Sequence, residues 1–416
     1  RARTRIVAGV AILAVAGAVW SVRHFTATMQ ALQGDTRRFG MVYTLAAVLL
    51  LSQIVLCHLE RPYRITRRRS RQLHRLSVVA LVPAYNEDEA LLARCLMSLA
   101  SQTRRPDRIV VVDDGSKIDY ARVKTWALAE AERTGMSLTW VRTSNQGKRH
   151  AHGEAIRRTP EADIYLTVDS DAILDPHAIE EGLKPFSRSD VTAVAGIVLA
   201  ANNRATLLAR FTDLWYVTSQ LVDRSSLSAM GAVLVNSGPL AFYRAPIVRA
   251  NLASYLGETI AGRGVAFSDD SMLTLFARLE GRTVQQPTSF VFTAMPERVG
   301  HHIRQYVRWM RGSTIRSLWR FRYLPLGSYA YWAHFARWAQ MLVATVLFFA
   351  LFVVQPIVDH RFAAGLLFIT MLIGYAQGLR YLTVRRADES LPSQLVTWSL
   401  APVAAMWAFF VLRPVR

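Results

Sequence analysis

Two pairs of acidic residues in the middle of the chain come directly after runs of apolar residues. Asp169 and Asp171 follow the run 164–168, and Asp113 and Asp114 end another such run. Carboxylates at the end of a buried strand can share one divalent cation, and hard oxygen ligands favour Mg²⁺ or Mn²⁺. Such a cation neutralises a diphosphate. An isolated Asp-x-Asp is more often a solvated turn, so the prediction depends on the preceding strand.

A third acidic pair, Asp269 and Asp270, follows Ser268 and precedes a helical pattern. Serine and aspartate are both common helix N-caps, which is the structural interpretation of this segment. The functional interpretation is a general base. Sugar transfer needs a carboxylate that accepts the proton of the acceptor hydroxyl as this hydroxyl attacks the anomeric carbon. We favour Asp270 as this base, with Asp269 as the second candidate.

A short basic motif, Gln146-Gly147-Lys148-Arg149, follows the predicted strand 138–141. The glycine permits a close approach of the backbone, and the lysine can meet a phosphate. The motif is too short to assign a function on its own.

Three further side chains lie at helical spacing near residue 305. Gln305, Arg308 and Trp309 occupy positions i, i+3 and i+4 of a predicted helix. The arginine would hold a leaving diphosphate, and the tryptophan would present a flat face to a sugar ring. The alternative is a Trp/Arg anchor at a membrane interface.

The elements that must position these residues read as alternating strands and helices. Residues 77–82, 108–112 and 164–168 are buried-strand runs, and residues 89–101 form a helical pattern between two of them. This alternation predicts a largely parallel sheet with right-handed crossovers. Ligands bind such sheets at the carboxyl ends of the strands, where the acidic pairs lie.

Long uncharged runs flank this α/β region at both ends of the 416-residue chain, of which 52% is hydrophobic. Such runs are typical of membrane spans. They cover residues 6–22, 41–57, 338–358, 362–379 and 391–412. We therefore predict four parts. They are a transmembrane hairpin (1–59), a cytosolic α/β domain (60–300), interfacial helices (301–330) and a C-terminal transmembrane region (331–416).

The net charge of +20 is mostly arginine. The densest cluster, within 61–75, directly follows an apolar run, as expected for the cytoplasmic flank of a membrane span beside anionic lipid. No recognition motif for nucleic acid accompanies the charge, so we expect no nucleic-acid partner. Pro402 lies inside the last apolar run and predicts that this segment does not cross simply. The amphipathic segment 205–225 is either a second interfacial helix or a core helix.

The motifs together resemble those of the family-two processive glycosyltransferases, which include cellulose, chitin and hyaluronan synthases. In chain order they are Val82-Pro83-Ala84-Tyr85-Asn86-Glu87, Asp113-Asp114-Gly115-Ser116, Asp169-Ser170-Asp171, Ser268-Asp269-Asp270 and Gln305…Arg308-Trp309. The segment Asn236-Ser237-Gly238-Pro239-Leu240 is most similar to the hyaluronan synthases. The rhizobial chitooligosaccharide synthases are near relatives.

This resemblance implies a GT-A-like domain inserted between transmembrane helices, in a multi-pass protein of the cell membrane with its catalytic domain in the cytosol. The donors would be UDP-sugars, the acceptor a growing polysaccharide, and the cofactor Mg²⁺ or Mn²⁺. The enzyme would work as a monomer and would invert the anomeric centre. The product would be hyaluronan, made from UDP-GlcNAc and UDP-GlcA. A chitin or poly-N-acetylglucosamine synthase and a non-processive lipid-linked glycosyltransferase are the alternatives.

The resemblance also implies roles for the residues singled out above. Tyr85 and Glu87 would line the uridine pocket, and Asp113 or Asp114 would read the base. Lys148 would lie near the nucleotide.

On the diphosphate and acceptor side, Asp169 and Asp171 would flank the diphosphate, with Asp171 on the metal. Asp270 would be the base. Finally, the three residues near 305 would hold the diphosphate and the acceptor sugar; these are Gln305, Arg308 and Trp309.

The chain departs from the pattern of the hyaluronan synthases at three places. Ser268 replaces the usual glycine before the acidic pair, and Asn236 replaces the usual cysteine. Those enzymes carry a Trp-Gly-Thr-Arg segment past the last membrane helix, and this sequence reaches Arg416 without it.

Overall fold

A computed structural model of the chain describes residues 53–358, 360, 364–386 and 388–415. The hairpin predicted over residues 1–59 lies outside these ranges except for residues 53–59. The central α/β domain, with every residue for which we predict a role in the site, lies inside them.

The centre of the molecule is one eight-stranded sheet, accompanied by a two-stranded hairpin. The strands of the sheet are β1 (Val78–Ala84), β2 (Arg108–Asp113), β3 (Ser137–Arg142), β4 (Ile164–Thr167), β5 (Ile173–Leu174), β6 (Val191–Ala200), β7 (Ala241–Arg244) and β10 (Arg282–Thr293). The hairpin pairs β8 (Thr259–Ile260) with β9 (Arg263–Gly264). The sheet order is β3-β2-β1-β4-β7-β6-β10-β5.

The predicted strands are confirmed within one or two residues, but the sheet is mixed. The four strands β3, β2, β1 and β4 are parallel to one another. β7 then runs antiparallel between β4 and β6, and β5 pairs antiparallel with β10. β6 and β10 are parallel to each other and run in the same direction as β4, so six of the eight strands share one direction. The expectation of a largely parallel sheet is therefore confirmed, with β5 and β7 as the antiparallel strands. β7 has only four residues, Ala-Phe-Tyr-Arg, and so short a run does not show whether it forms a strand or a helix.

Helices cover both faces of the sheet because side chains alternate along each strand. In β1, Val78 and Ala80 face one hydrophobic core, whereas Val79 and Leu81 face the other.

The helices are α1 (Arg67–Leu73), α2 (Glu89–Ala100), α3 (Ala121–Thr134), α4 (Lys148–Arg157), α5 (Ala178–Leu183), α6 (Leu207–Ser219), α7 (Ser225–Ala229), α8 (Ala245–Ala250), α9 (Leu252–Leu256) and α10 (Asp269–Glu280).

Helix α6 packs as a core helix, which decides between the two interpretations of residues 205–225. Its Phe211, Leu214 and Val217 are buried against Ile197 and Leu199 of β6. A short π-helix, Gln220–Arg224, extends it.

The C-terminal part of the chain is helical. It comprises α11 (Val299–Tyr323), α12 (Tyr329–Phe349), α13 (Gln355–Val358), α14 (Ala364–Gly378), α15 (Leu391–Ser399) and α16 (Ala401–Trp407). The π-helix Ala350–Val354 joins α12 and α13 into one continuous helix, Tyr329–Val358. Within the described ranges, this is the one unbroken helix long and apolar enough to cross a membrane. The pair Leu391–Ser399 and Ala401–Leu412 would be a second span, and it bends by 45°. The bend lies just before Pro402, where the sequence predicts a break.

A buried ionic cluster attaches the C-terminal part to the sheet domain. Asp213 of α6 accepts hydrogen bonds from the backbone amide of Ala200 at 2.8 Å and from Nη1 of Arg386. Arg386 also donates to the carbonyl oxygen of Ala200 at 3.0 Å. The side chains of Asp213 and Arg386 are fully buried, and so is that of Glu389 beside them.

Candidate active site

The candidate site lies at the carboxyl ends of the parallel strands. β1 leads into Tyr85 and Glu87, β2 ends at Asp113, and β4 leads into Asp169. Because these strands run in the same direction, the polar residues that follow them meet at one edge of the sheet. The predicted convergence of distant carboxylates is therefore present.

Lys148 connects two of the acidic segments. Its Nζ lies 2.6 Å from Oδ1 of Asp169 and 3.4 Å from Oδ2 of Asp269. The lysine opens helix α4 directly after Gly147, whose φ of 91° favours glycine. Gly238 leaves room for the ammonium group, since a Cβ there would lie 3.2 Å from Nζ. Burial alone would lower the pKa of Lys148, but Asp169 and Asp269 raise it, so the ammonium group stays charged.

Asp269 and Asp270 form the first turn of α10, where the helix dipole favours carboxylates. Burial and the neighbouring charge of Asp269 raise the pKa of Asp270 to about 6. Burial opposes ionisation of Asp269 as well, but the charges of Lys148 and then His152 outweigh it and hold the pKa of Asp269 low. The two adjacent carboxyls therefore differ, and Asp270 is the one that titrates near neutral pH.

Ser268 precedes this pair with φ 60° and ψ 40°, a left-handed conformation, and its side chain does not cap the helix. Ser268 therefore occupies the predicted N-cap position, but without the side-chain hydrogen bond of a capping serine. The conformation is one that glycine adopts without strain, which explains in physical terms the glycine of the resembling enzymes at this position.

Asp171 lies close enough to Asp169 and Glu87 to sense their charges. Its Oδ2 accepts a hydrogen bond from Oγ1 of Thr293 at 3.1 Å. Burial, followed by the charges of Asp169 and Glu87, raises the pKa of Asp171. A divalent cation would relieve this repulsion, and carboxylate oxygens are the ligands that Mg²⁺ and Mn²⁺ prefer. The described residues hold no group of three or more His, Cys, Asp or Glu placed as a metal cage.

Asp113 and Asp114 are both buried and bonded to the backbone of neighbouring loops. Asp113 accepts from the amide of Ser116 at 2.9 Å. Asp114 accepts from the amides of Gln146 at 2.9 Å and Gly147 at 2.8 Å. In this structure Asp114 thus holds the loop that carries Lys148. A contact of either carboxylate with a base stays a prediction.

The two residues predicted for the uridine pocket lie at the same edge. Glu87 accepts a hydrogen bond from Oγ of Ser170 at 3.0 Å through its Oε2. The side chain of Tyr85 is 52% exposed, so a flat ring is open at the rim of the site.

The three residues near 305 point in different directions from α11. Trp309 stacks on Tyr216 of α6, with ring centroids 5.6 Å apart and 21° between the planes. Arg308 lines a cavity of about 360 Å³ beside Phe267. Oε1 of Gln305 is buried and has no hydrogen-bond partner among the described residues.

Sequence reasoning missed several side chains of the site. Tyr216 lies in the amphipathic segment 205–225, to which the sequence assigns no role in the site. Its hydroxyl lies 3.3 Å from Oγ of Ser237. His152 lies 4.0 Å from Asp269 and 3.0 Å from the hydroxyl of Tyr255. Burial, and then the charge of Lys148, lowers the pKa of His152 to about 4, so the ring is neutral at physiological pH. Tyr216 reaches two of the motifs, through its stacking on Trp309 and its contact with Ser237, and no local pattern signals such contacts.

The fold and the site define a class. Residues 74–312, more than half of the chain, match the family described as "Glycosyltransferase like family 2". The chain belongs to this family, and it is a glycosyltransferase with a GT-A-like fold. A mannosyltransferase from Pyrobaculum calidifontis, solved in complex with GDP-Man and Mn²⁺, shares this fold with a TM-score of 0.52 and 20% identity. The superposition covers 90% of this chain and 99% of that one.

Among curated proteins, the chain is similar to the hyaluronan synthase of Streptococcus pyogenes, with 37% identity over 238 residues. The match covers 57% of each chain. It is also similar to an N-acetylglucosaminyltransferase of Azorhizobium caulinodans, with 33% identity over 239 residues. That match covers 57% of this chain and 59% of the relative, so the chain spans less than two thirds of either protein.

Proposed function

We propose that this chain is a processive, inverting β-glycosyltransferase of the cell membrane that builds a polysaccharide from UDP-sugars. The observation that carries the proposal is the meeting of Lys148 with Asp169 and Asp269 beside Asp270. A cationic group between carboxylates can exchange these partners for a diphosphate, while a carboxyl with a pKa of about 6 lies close by as a base.

On the donor side, Lys148 would bind a phosphate oxygen of the UDP-sugar. Asp169 and Asp171 would hold Mg²⁺ or Mn²⁺, which when bound neutralises charge on the departing UDP. Tyr85 and Glu87 would border the uridine, and Asp113, with Asp114 behind it, would lie near the base.

Asp270 would perform the proton transfer. The acceptor hydroxyl oxygen attacks the anomeric carbon and forms the new C–O bond, as the bond from that carbon to the diphosphate oxygen breaks. The proton passes to a carboxylate oxygen of Asp270, and UDP leaves with the bonding electron pair. A single displacement inverts the anomeric centre, so an α-linked donor gives a β-linkage. Asp269, paired with Lys148, would stay ionised and is the weaker candidate for the base.

On the acceptor side, Trp309 and Tyr216 would provide a rigid aromatic wall for the sugar ring. Gln305, whose buried Oε1 lacks a partner within the described chain, would accept a hydrogen bond from a sugar hydroxyl. Arg308 would approach the diphosphate from the Phe267 side. The protein would work as a monomer, and the polymer would pass between its own membrane helices.

The proposed product is hyaluronan, made from UDP-GlcNAc and UDP-GlcA, because the hyaluronan synthase is the relative with 37% identity. A second candidate is a chitin or poly-N-acetylglucosamine synthase, favoured by the relative named N-acetylglucosaminyltransferase. A non-processive enzyme that glycosylates a lipid is the third, and no described contact favours it.

The test uses the purified full chain in lipid vesicles with Mg²⁺ or Mn²⁺. UDP release is measured with each UDP-sugar singly and in pairs, and the product is sized by gel electrophoresis. Sustained release and a high-mass product only with UDP-GlcNAc plus UDP-GlcA support hyaluronan. Sustained release with UDP-GlcNAc alone supports the second candidate. An organic-soluble product contradicts processive synthesis, and no release with any donor contradicts the whole proposal.

A further inference from the structure

A second ionic cluster lies just behind the acidic pair. Glu258, in the link between α9 and the hairpin, is buried and accepts hydrogen bonds at both oxygens. Nη1 of Arg149 lies 2.6 Å from its Oε2, and the two Nη atoms of Arg316 lie 2.9 Å and 3.0 Å from its two oxygens. Nε1 of Trp319 donates to Oε1 at 2.7 Å. The side chains of Glu258, Arg149 and Arg316 are 3%, 4% and 0% exposed.

The same two arginines also bind the backbone that leads into the acidic pair. Nη2 of Arg149 donates to the carbonyl oxygen of Phe267 at 2.6 Å. Nη2 of Arg316 donates to the carbonyl oxygen of Ser268 at 3.3 Å. Both carbonyl groups belong to the segment with the left-handed Ser268, a conformation that a non-glycine residue adopts at a cost in free energy. The arginines therefore hold a strained segment in place.

Each arginine is part of an element that carries another proposed site residue. Arg149 follows Lys148 at the start of α4, and Arg316 lies two helical turns after Trp309 on α11. Gly312 on the same face of α11 lets the helix approach, because a Cβ there would lie 3.0 Å from Cβ of Ser268. Through these two arginines, the carboxylate of Glu258 connects the start of α4, which carries Lys148, with the acidic pair of α10 and with α11.

We propose that Glu258 is a positioning residue for the transfer reaction, which it serves by fixing the segment 267–270 through Arg149 and Arg316. This rests on the proposed role of Asp270. Glu258 touches neither the donor nor the acceptor in this arrangement. Its effect is on the placement of the base, and a misplacement of about 1 Å is enough to slow a reaction by about 100-fold.

The test compares Glu258→Gln and Glu258→Asp with Glu181→Gln in the full chain. Glu181 is a matched control because its carboxylate also accepts hydrogen bonds from three side chains, Lys184, Thr288 and Gln286, but it lies on α5 away from the site. Two readouts are needed, UDP turnover and hydrogen exchange of the amides in 265–272. The exchange readout does not depend on any enzymatic activity.

We expect Glu258→Gln to lower kcat by about 10- to 100-fold and to change KM for the donor less than threefold, because Lys148 keeps its own contact with Asp169. Amide exchange in 265–272 should rise at least tenfold. Glu258→Asp should recover part of kcat, and Glu181→Gln should change neither readout. If Glu258→Gln leaves exchange in 265–272 unchanged, the positioning role is wrong, whatever the activity. If exchange rises while the wild-type protein and the variant release no UDP from any donor, the cluster holds the segment but the proposed function fails.

Discussion

The proposed donor side and the proposed acceptor side of the candidate site are built differently. On the donor side, Asp113 and Asp169 come directly from the ends of parallel strands, and the loop of Lys148 follows β3. On the acceptor side, Tyr216 and Trp309 come from α6 and α11, which meet through long-range packing. The donor side is charged, whereas the acceptor side is largely aromatic. In the proposed function, strand ends therefore supply the phosphate site, and helices packed around the sheet shape the polymer site.

Removal of the divalent cation should give the largest effect, and it acts on the donor side alone. We expect a chelator to abolish UDP release and Mn²⁺ to restore it. Asp171→Asn should weaken Mn²⁺ binding by at least about 100-fold, because even the outer contacts of metal sites account for factors of about 10 to 100. Electron paramagnetic resonance of free Mn²⁺ measures this in the presence of UDP. Full activity in a chelator would show that the donor side works without a metal.

Lys148→Met should give the next largest effect. The substitution keeps most of the volume but leaves Asp169 and Asp269 without their cationic partner. We expect the Kd for UDP to rise by about 100-fold, about 2.7 kcal/mol. Calorimetric titration with UDP measures this, and Lys184→Met, at the residue directly after α5, is the control. An unchanged Kd would mean that Lys148 only balances the carboxylates.

Tyr216→Ala should act on the acceptor side. Aromatic pairs contribute about 0.5–1.5 kcal/mol beyond their burial, so loss of the stacking on Trp309 should slow elongation by about 3- to 10-fold. The polymer should become shorter while the Kd for UDP stays the same. Tyr216→Phe, which keeps the ring and loses the contact with Ser237, is the matched control. If Tyr216→Ala changes the Kd for UDP and leaves the polymer length normal, Tyr216 belongs to the donor side and its assignment to the acceptor side is wrong.

Ser268→Gly should give the smallest effect. Glycine adopts the left-handed conformation without strain, so we expect the variant to be more stable to unfolding by up to about 1 kcal/mol. Thermal unfolding in detergent measures the change, with Ser137→Gly in β3 as a control that should be destabilising. A lower stability of the Ser268→Gly variant would mean that the serine side chain itself stabilises the segment.

The same contrast explains what could be predicted from the sequence. The strands and two of the acidic pairs are visible because Asp113, Asp114, Asp169 and Asp171 follow or end their strands within a few residues. The antiparallel β7, the stacking of Tyr216 on Trp309 and the cluster around Glu258 depend on contacts between residues more than 40 positions apart. Periodicity and local motifs carry no information on such contacts. The multi-pass topology also stays a prediction, since one continuous helix of the described chain meets the criteria for a span.

The central claim is that Asp270 is the base. We predict that kcat of the wild-type protein rises with pH through about 6 and levels off above, because only the deprotonated carboxyl accepts the proton. Asp270→Asn should lower kcat by at least about 100-fold, abolish this pH dependence and leave the Kd for UDP unchanged. Transfer by Asp270→Asn at the wild-type rate, with the same acid limb, would contradict the account.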